Sequence, residues 1–311
     1  MRYAFFQGCN IPARIEQYAQ STEAVMALFG VELKEMRDFN CCGYPVRNVD
    51  EKAYILPSVR NLAVAEQAGL DIMVICNCCF QSLQKAKNVL TKNPELAAEL
   101  NVVLAKEGLN YSGKCTVKHY LTVLHDDIGT DTIKEKLTNR YTELNISVLH
   151  GCHLLRPREV TGFDDSFVPK ITENLMQVVG ANSLDWPGKM ECCGAALAGI
   201  NDELSNRLLM EKIDGAVGAN ADYITPICSY CHLQFDTAQL NIKSENPDMN
   251  SLPVLLLPQL LGLCLGISPD QLGLASNQTI AEENISSLQS LLGPPVEEKK
   301  KRRKAKTKAA A

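Results

Sequence analysis

Ten of the thirteen cysteines in this 311-residue chain fall into two sets of five that repeat one another. Cys9, Cys41, Cys42, Cys76 and Cys79 recur as Cys152, Cys192, Cys193, Cys228 and Cys231. Partner to partner, the offsets are 143, 151, 151, 152 and 152, so the patterns read C-x31-CC-x33-C-x2-C and C-x39-CC-x34-C-x2-C. One frame held at five positions across half a chain is the mark of an internal duplication, and a duplication predicts two similar folding units.

The surroundings of the cysteines repeat as well. YAFFQGC leads into Cys9 and ISVLHGC into Cys152, each a β-branched or aromatic run closed by Gly-Cys, which predicts a strand before each lone cysteine. DIMVICNCC and ADYITPICSYC place each C-x-x-C just after a short apolar run, again a strand followed by a loop. Helix-like segments lie between these runs: SVRNLAVAEQAGL after Pro57 and NDELSNRLLMEKIDGAVGA after Gly199, with apolar residues at 3 and 4 spacing. Strands alternating with helices predict α/β units, each a mainly parallel sheet flanked by helices. Ligands of such sheets sit beyond the carboxyl ends of the strands, so loop cysteines from distant positions can converge on one crevice in each unit. The expected boundaries are residues 1–127 for the first domain and 142–292 for the second, joined by a polar connection over about Asp126 to Asn145. Residues 293–311 are expected to be a disordered basic tail.

Composition narrows the class of protein. With 46% hydrophobic and 22% charged residues the chain can build a globular core. Thirteen cysteines is an odd count, and MRYAFFQGCNIPAR lacks the build of a secretory signal, so reduced thiols or metal ligands in the cytoplasm are expected rather than disulfides. Residues 299–308 hold eight of the 31 Lys and Arg; the rest carries 23 basic against 36 acidic side chains, a balance of −13. An acidic body argues against nucleic acid as a partner, and the basic run reads as a solvated tail. The most apolar run, LPVLLLPQLLGLCLGI from Leu252 to Ile267, is too short to span a membrane and is interrupted by Pro253 and Pro258, so it reads as core of the second domain or as a face toward a partner protein. No G-x-G-x-x-G or P-loop pattern supports direct nucleotide binding.

A soft, thiolate-only set selects zinc, Cu(I) or iron–sulfur chemistry over hard cations. A closed zinc site uses four ligands, which leaves one cysteine of each set surplus. Iron–sulfur clusters ordinarily take four as well, so five suit a cluster of unusual geometry in which one thiolate bridges two irons. A catalytic dithiol at C-x-x-C is the third option and leaves the other cysteines unexplained. Cys264, in its apolar run, and Cys115 read as small buried hydrophobes.

At these residues the chain resembles the B subunit of heterodisulfide reductase and the wider family of cysteine-rich CCG-domain proteins. The likeness extends to HGCHLLRP (His150 to Pro157), MECCGAA (Met190 to Ala196), CSYCHLQFD (Cys228 to Asp236) and LPQLLGL (Leu257 to Leu263), and it covers about residues 2–275. The resemblance implies two pseudo-symmetric CCG domains, each binding a non-cubane 4Fe–4S cluster, the first on Cys9, Cys41, Cys42, Cys76 and Cys79 and the second on Cys152, Cys192, Cys193, Cys228 and Cys231. It also implies a disulfide substrate reduced between the clusters, as with the coenzyme M–coenzyme B heterodisulfide. Electrons would then come from a flavin-bearing A subunit through a ferredoxin-like C subunit. Cys78, inside CNCCF, stands where the family carries a small residue; taking Cys76 and Cys79 as ligands aligns CNCCF with CSYCH without a shift.

Among other residues, His153 follows Cys152 directly and is the best-placed acid for a departing thiolate, since an imidazole titrates near neutrality; the competing reading is a hydrogen bond to a cluster sulfur or the backbone. His232 after Cys231 reads as the start of a helix, and His150, His119 and His125 as structural groups. Arg156 and Arg158 lie close to Cys152 in sequence and could meet an anionic group, with surface solvation the plainer reading of Arg158; Arg47 is open. Gly194 is expected to let the backbone turn close to a bulky cofactor. The rival to a disulfide-reducing enzyme is an electron-relay subunit of a larger complex with no substrate of its own, or a structural zinc or iron–sulfur subunit.

Overall fold

A computed structural model describes residues 1–294. The first sheet is built from β1 (Arg2–Phe6), β2 (Glu32–Glu35), β3 (Asp71–Val74) and β4 (Val117–His119), in the order β2-β1-β3-β4, with every pairing parallel. The chain then passes through β5 (Arg140–Tyr141) into the second sheet, β6 (Asn145–Leu149), β7 (Asn182–Ser183) and β8 (Tyr223–Pro226), in the parallel order β7-β6-β8. Val254 makes a parallel bridge to Ile224 on the free side of β8, in the place that β4 holds beside β3. The duplication read in the cysteines is therefore a duplication of topology. A parallel sheet is covered on both faces, which is why its inner strands carry continuous apolar runs such as IMV and ISVL.

The helices repeat too. Glu51–Gln67 and Asp202–Gly218 are each 17 residues long and start at matching positions, where the Asp50 and Asn201 side chains accept the backbone N–H of Ala53 and Leu204. The first of these helices begins before Pro57 rather than after it: the Asp50 cap nucleates it, and Pro57 is carried inside. The connection between the halves is helical as well, with a π-helical stretch Val123–Gly129 and the helix Thr130–Lys136. β5 pairs antiparallel with β9 (Leu292–Gly293), so Gly293, where the tail was expected to begin, is bound to Arg140. The rest of the expected tail, residues 295–311, lies outside the described residues.

One core runs through both halves. The helix Leu257–Cys264 is buried along its whole length and packs on the helix Glu16–Leu28 of the first half, so the apolar run at 252–267 fills the seam between the repeats. Polar contacts cross the same seam: the Tyr18 hydroxyl donates to the Ile227 carbonyl at 2.8 Å and the Gln17 amide to Asn277 Oδ1 at 3.1 Å. Among the described residues, no helix is long and apolar enough to cross a membrane.

Candidate functional site

Both sheets point the carboxyl ends of their strands at this seam. Gly8-Cys9 follows β1 and Gly151-Cys152 follows β6; Cys76 follows β3 and Cys228 follows β8, each of the latter preceding a helix. Gly8 and Gly151 have φ of +75° and +78°, and a side chain at either would collide with the site itself: a Cβ on Gly8 would lie 2.7 Å from Cys79 Sγ, and one on Gly151 2.3 Å from Asn77 Nδ2.

The two CCG turns are alike in detail. Gly43 and Gly194 adopt φ of +87° and +82°, and their N–H groups turn back on the sulfurs of Cys41 and Cys192, the latter at 3.4 Å. The surface behind each glycine is a helix: a Cβ on Gly43 would meet the Tyr54 carbonyl oxygen at 2.3 Å, and one on Gly194 the Ser205 carbonyl oxygen at 2.8 Å. The surface behind Gly194 is thus the backbone of the helix Asp202–Gly218.

The sulfurs form two equivalent rows. Cys9 and Cys41 lie 4.0 Å apart, Cys41 touches Cys42, Cys42 touches Cys79, and Cys79 touches Cys76. In the second half Cys152 touches Cys192, Cys192 touches Cys193, Cys193 lies 3.2 Å from Cys231, and Cys231 touches Cys228. The rows meet where Cys76 contacts Cys228. Cys79 occupies in its row the place that Cys231 occupies in the other, while Cys78 sits off the row and touches both Cys76 and Cys228. Among the described residues no group of three or more His, Cys, Asp and Glu side chains is arranged to hold a metal ion. A string of thiols spread over five positions suits a cofactor wider than one ion, and an all-thiol donor set matches iron–sulfur chemistry.

The rows share an electrostatic pattern. Hydrogen bonds from both neighbouring thiols, with help from the glycine N–H, pull Cys41 and Cys192 down to about 2, against the opposing effect of burial. Their neighbours Cys42 and Cys193, which donate hydrogen bonds to them, are pushed up to about 12, and Cys9 and Cys152 are raised further. Cys9 and Cys192 are exposed, whereas Cys76 and Cys228 are buried, so each row runs from the surface to the seam.

Four residues of the seam are placed by the repeat and differ in kind. Cys78 of the first half faces His153 Nδ1 at 3.5 Å; the corresponding positions on the other side of the pseudo-twofold are Tyr230 and Asn10, whose Nδ2 has no partner among the described residues. His153 Nδ1 is also 3.6 Å from Cys152 Sγ, and its Nε2 is 3.1 Å from the Tyr44 hydroxyl. The Tyr44 ring packs edge-on against His153 and carries the Arg47 guanidinium 3.9 Å from its centroid. Burial, then the Arg47 charge, lower His153, and burial raises the Tyr44 phenol. Cys78, Tyr44 and Tyr230 line a small cavity of about 10 Å³ with Asn10, Pro45 and the first five cysteines.

Sequence reasoning missed Tyr44, Tyr230 and Ser229. The one available signal was misalignment of the repeats, since Tyr44 stands opposite Ala195 and Tyr230 opposite Cys78. Other candidates lie elsewhere. His232 is wholly buried and contacts Gln17 and Asp236, burial bringing it down to about 4. His150 pairs with Glu173 at 3.1 Å, His125 with Asp126 and Asn174, and His119 is packed among aromatic rings. Arg156 reaches the Ser166 carbonyl and Arg158 the Asp165 carboxylate on the surface. Cys115 and Cys264 are buried, against Thr116 and Val179 carbonyls.

The cysteine-rich (CCG) domain profile matches residues 3–84 and 146–236, one match for each repeat. The B subunit of the ferredoxin:CoB-CoM heterodisulfide reductase of Methanosarcina mazei is 32% identical over 292 residues, 92% of this chain and 96% of that protein. A protein of Archaeoglobus profundus described as like the heterodisulfide reductase B subunit is 33% identical over 87% of this chain and 93% of its own length. The 8-methylmenaquinol:fumarate reductase membrane anchor subunit of Wolinella succinogenes is 30% identical over 88% of this chain and 96% of its own. Among solved structures, a hypothetical protein from Helicobacter pylori shares the fold with a TM-score of 0.72 and 15% identity, over 91% of this chain and 52% of that one.

Proposed function

This chain belongs to the heterodisulfide reductase B-subunit family of cysteine-rich CCG-domain proteins, and on that premise we propose that it is an iron–sulfur oxidoreductase subunit that reduces a disulfide at the seam between its repeats. Cys9, Cys41, Cys42, Cys76 and Cys79 would hold one 4Fe–4S cluster of non-cubane type, and Cys152, Cys192, Cys193, Cys228 and Cys231 the other. Such clusters supply electrons one at a time, and two together match the two that a disulfide needs. The observation that supports this reading is the meeting of two equivalent thiol rows at Cys76 and Cys228, with a proton-bearing pair, His153 and Tyr44, beside the junction.

The chain's own part is to place the substrate and the proton. The Tyr44 phenol keeps its hydrogen and donates it to His153 Nε2, which leaves Nδ1–H directed at the sulfurs of Cys78 and Cys152. A thiolate leaving from the seam would take the Nδ1 proton as Tyr44 passes its own to Nε2; a proton from solvent taken up at Nδ1, with return of the Nε2 proton to the Tyr44 oxygen, would then restore the starting tautomer. In a cytoplasmic hetero-oligomer, electrons would pass from a flavin-bearing A subunit through a ferredoxin-like C subunit, and a heterodisulfide of the CoM-S-S-CoB type is the substrate class.

Two observations favour a second reading, an electron-relay subunit without its own disulfide. The cavity at the junction is only about 10 Å³, and similarity to the fumarate reductase anchor subunit is almost as high as to the heterodisulfide reductases. Anaerobic purification with iron and sulfide counts, followed by electron paramagnetic resonance with candidate thiols added, separates the readings. Zinc without iron would remove the central claim, and two iron–sulfur signals indifferent to every thiol and disulfide would establish the relay.

A further inference from the structure

The helix Asp202–Gly218 buries a cation. Lys212 is only 3% exposed, its Nζ donates to the Gly188 carbonyl, and it lies 5.4 Å from the centroid of the Trp186 ring. Among the described residues no carboxylate comes within ion-pair distance of it; burial lowers its pKa, and Glu191 and the thiols of Cys193, Cys231 and Cys192 oppose that. Burying an ammonium is costly unless something anionic answers it. At the matching position, 151 residues earlier, the first repeat carries neutral Asn61, whose amide exchanges hydrogen bonds with the backbone of Asn40. The same helix position therefore braces the loop before the vicinal cysteines in both halves, and only the second half adds a charge.

We propose that Lys212 is the counter-charge of the second cysteine set and makes the redox group on that set easier to reduce than the one on the first. The inference rests on the iron–sulfur reading given above, and it names the end of the molecule where electrons collect. Each electron added to a thiolate-bound group increases its negative charge, and a fixed positive charge in a low-dielectric interior stabilises the reduced state. One neutral hydrogen bond favours the first set, from the Ser229 hydroxyl to Cys76 at 3.2 Å. A full charge outweighs it, because its field acts on Cys192, Cys193 and Cys231 together.

The test is a reductive titration followed by electron paramagnetic resonance, on the anaerobically purified holoprotein in its complex. Lys212→Gln keeps a donor for the Gly188 carbonyl and removes the charge; Lys212→Met removes both, and Lys212→Arg keeps the charge. In the Gln and Met variants the midpoint of one signal should move to a more negative potential while the other stays in place, and Arg should stay close to the native value. The moving signal should be the one that persists in Cys41→Ser, which marks it as the second set. If Met fails to fold, Gln decides. Two unmoved midpoints, an equal shift of both, or a shift confined to the first set would overturn the inference and leave the iron–sulfur reading intact. Absence of any reducible iron–sulfur signal would overturn both.

Discussion

Ser229 of the second repeat donates its hydroxyl to Cys76 Sγ of the first at 3.2 Å, although the two lie 153 residues apart. Its counterpart, Asn77, makes a different bond: the amide donates to the His150 carbonyl and Oδ1 has no partner among the described residues. The pseudo-symmetry of the fold thus breaks at the junction of the thiol rows. Ser229→Ala should move the first-set midpoint to a more negative potential and lower stability by about 1 kcal/mol, while Ser229→Thr keeps both. An Ala variant with native potentials would show that this bond has no electronic role.

The pairing of His153 with Tyr44 predicts unequal losses. On the disulfide-reducing reading, His153→Gln should lower turnover roughly 100-fold or more, the range expected for removal of a general acid. Tyr44→Phe, which leaves the imidazole but frees its tautomer, should cost less, and the double variant should be no worse than His153→Gln alone because the two act as one unit. Steady-state kinetics with a disulfide substrate measures all three. Unchanged turnover in His153→Gln would leave the histidine as a packing residue.

Cys78 and Cys79 are neighbours in sequence but differ in position, one at the junction and one inside the row. Cys79→Ser should therefore lose iron from the first set, and Cys78→Ser should keep the full iron and sulfide count. The opposite result would shift the ligand register by one residue.

Glycine at the CCG turns is required by what lies behind it. Gly43→Ala places a methyl 2.3 Å from the Tyr54 carbonyl in a left-handed backbone, so it should destabilise the fold by well over the roughly 1–2 kcal/mol that φ alone imposes. Gly30→Ala is the control: φ is +67° with nothing within 4 Å, and only the backbone cost applies. Thermal unfolding of both variants compares them, and equal losses would mean that the helix behind Gly43 yields.

His119 sets a pH dependence. It is fully buried against Phe80, Tyr120 and Phe163 with neither ring nitrogen paired among the described residues, and burial brings it down to about 3. Because its folded value lies below that of the unfolded chain, its stability contribution is complete above about pH 6.5 and is lost as pH falls toward 3. His119→Phe removes that loss, so between pH 7.5 and 5.5 the native protein should lose about 1.4 kcal/mol more than the variant. Parallel pH profiles from denaturant unfolding would contradict this.

Much of the fold was written in one dimension. Offsets of 151 between Cys41 and Cys192 and 152 between Cys76 and Cys228 mark a duplication, and apolar runs ending in Gly-Cys or Cys-x-x-Cys place those cysteines after strands of a parallel sheet. Periodicity and spacing survive without coordinates because they depend on neighbours along the chain. The start of the helix at Glu51, ahead of Pro57, was decided by a cap that competed with a breaker, and the reason for Gly194 by a helix that only packing brings behind it.

What determines the chemistry was settled by contacts between residues far apart in sequence. Spacing showed two sets of five thiols; folding joined them at Cys76 and Cys228, set Cys78 against His153, gave that histidine Tyr44 as a partner, and buried Lys212 beside one set alone. Such pairings depend on how two sheets turn their strand ends toward a common seam. That geometry is fixed by burial of the whole core, and no local pattern in the sequence encodes it.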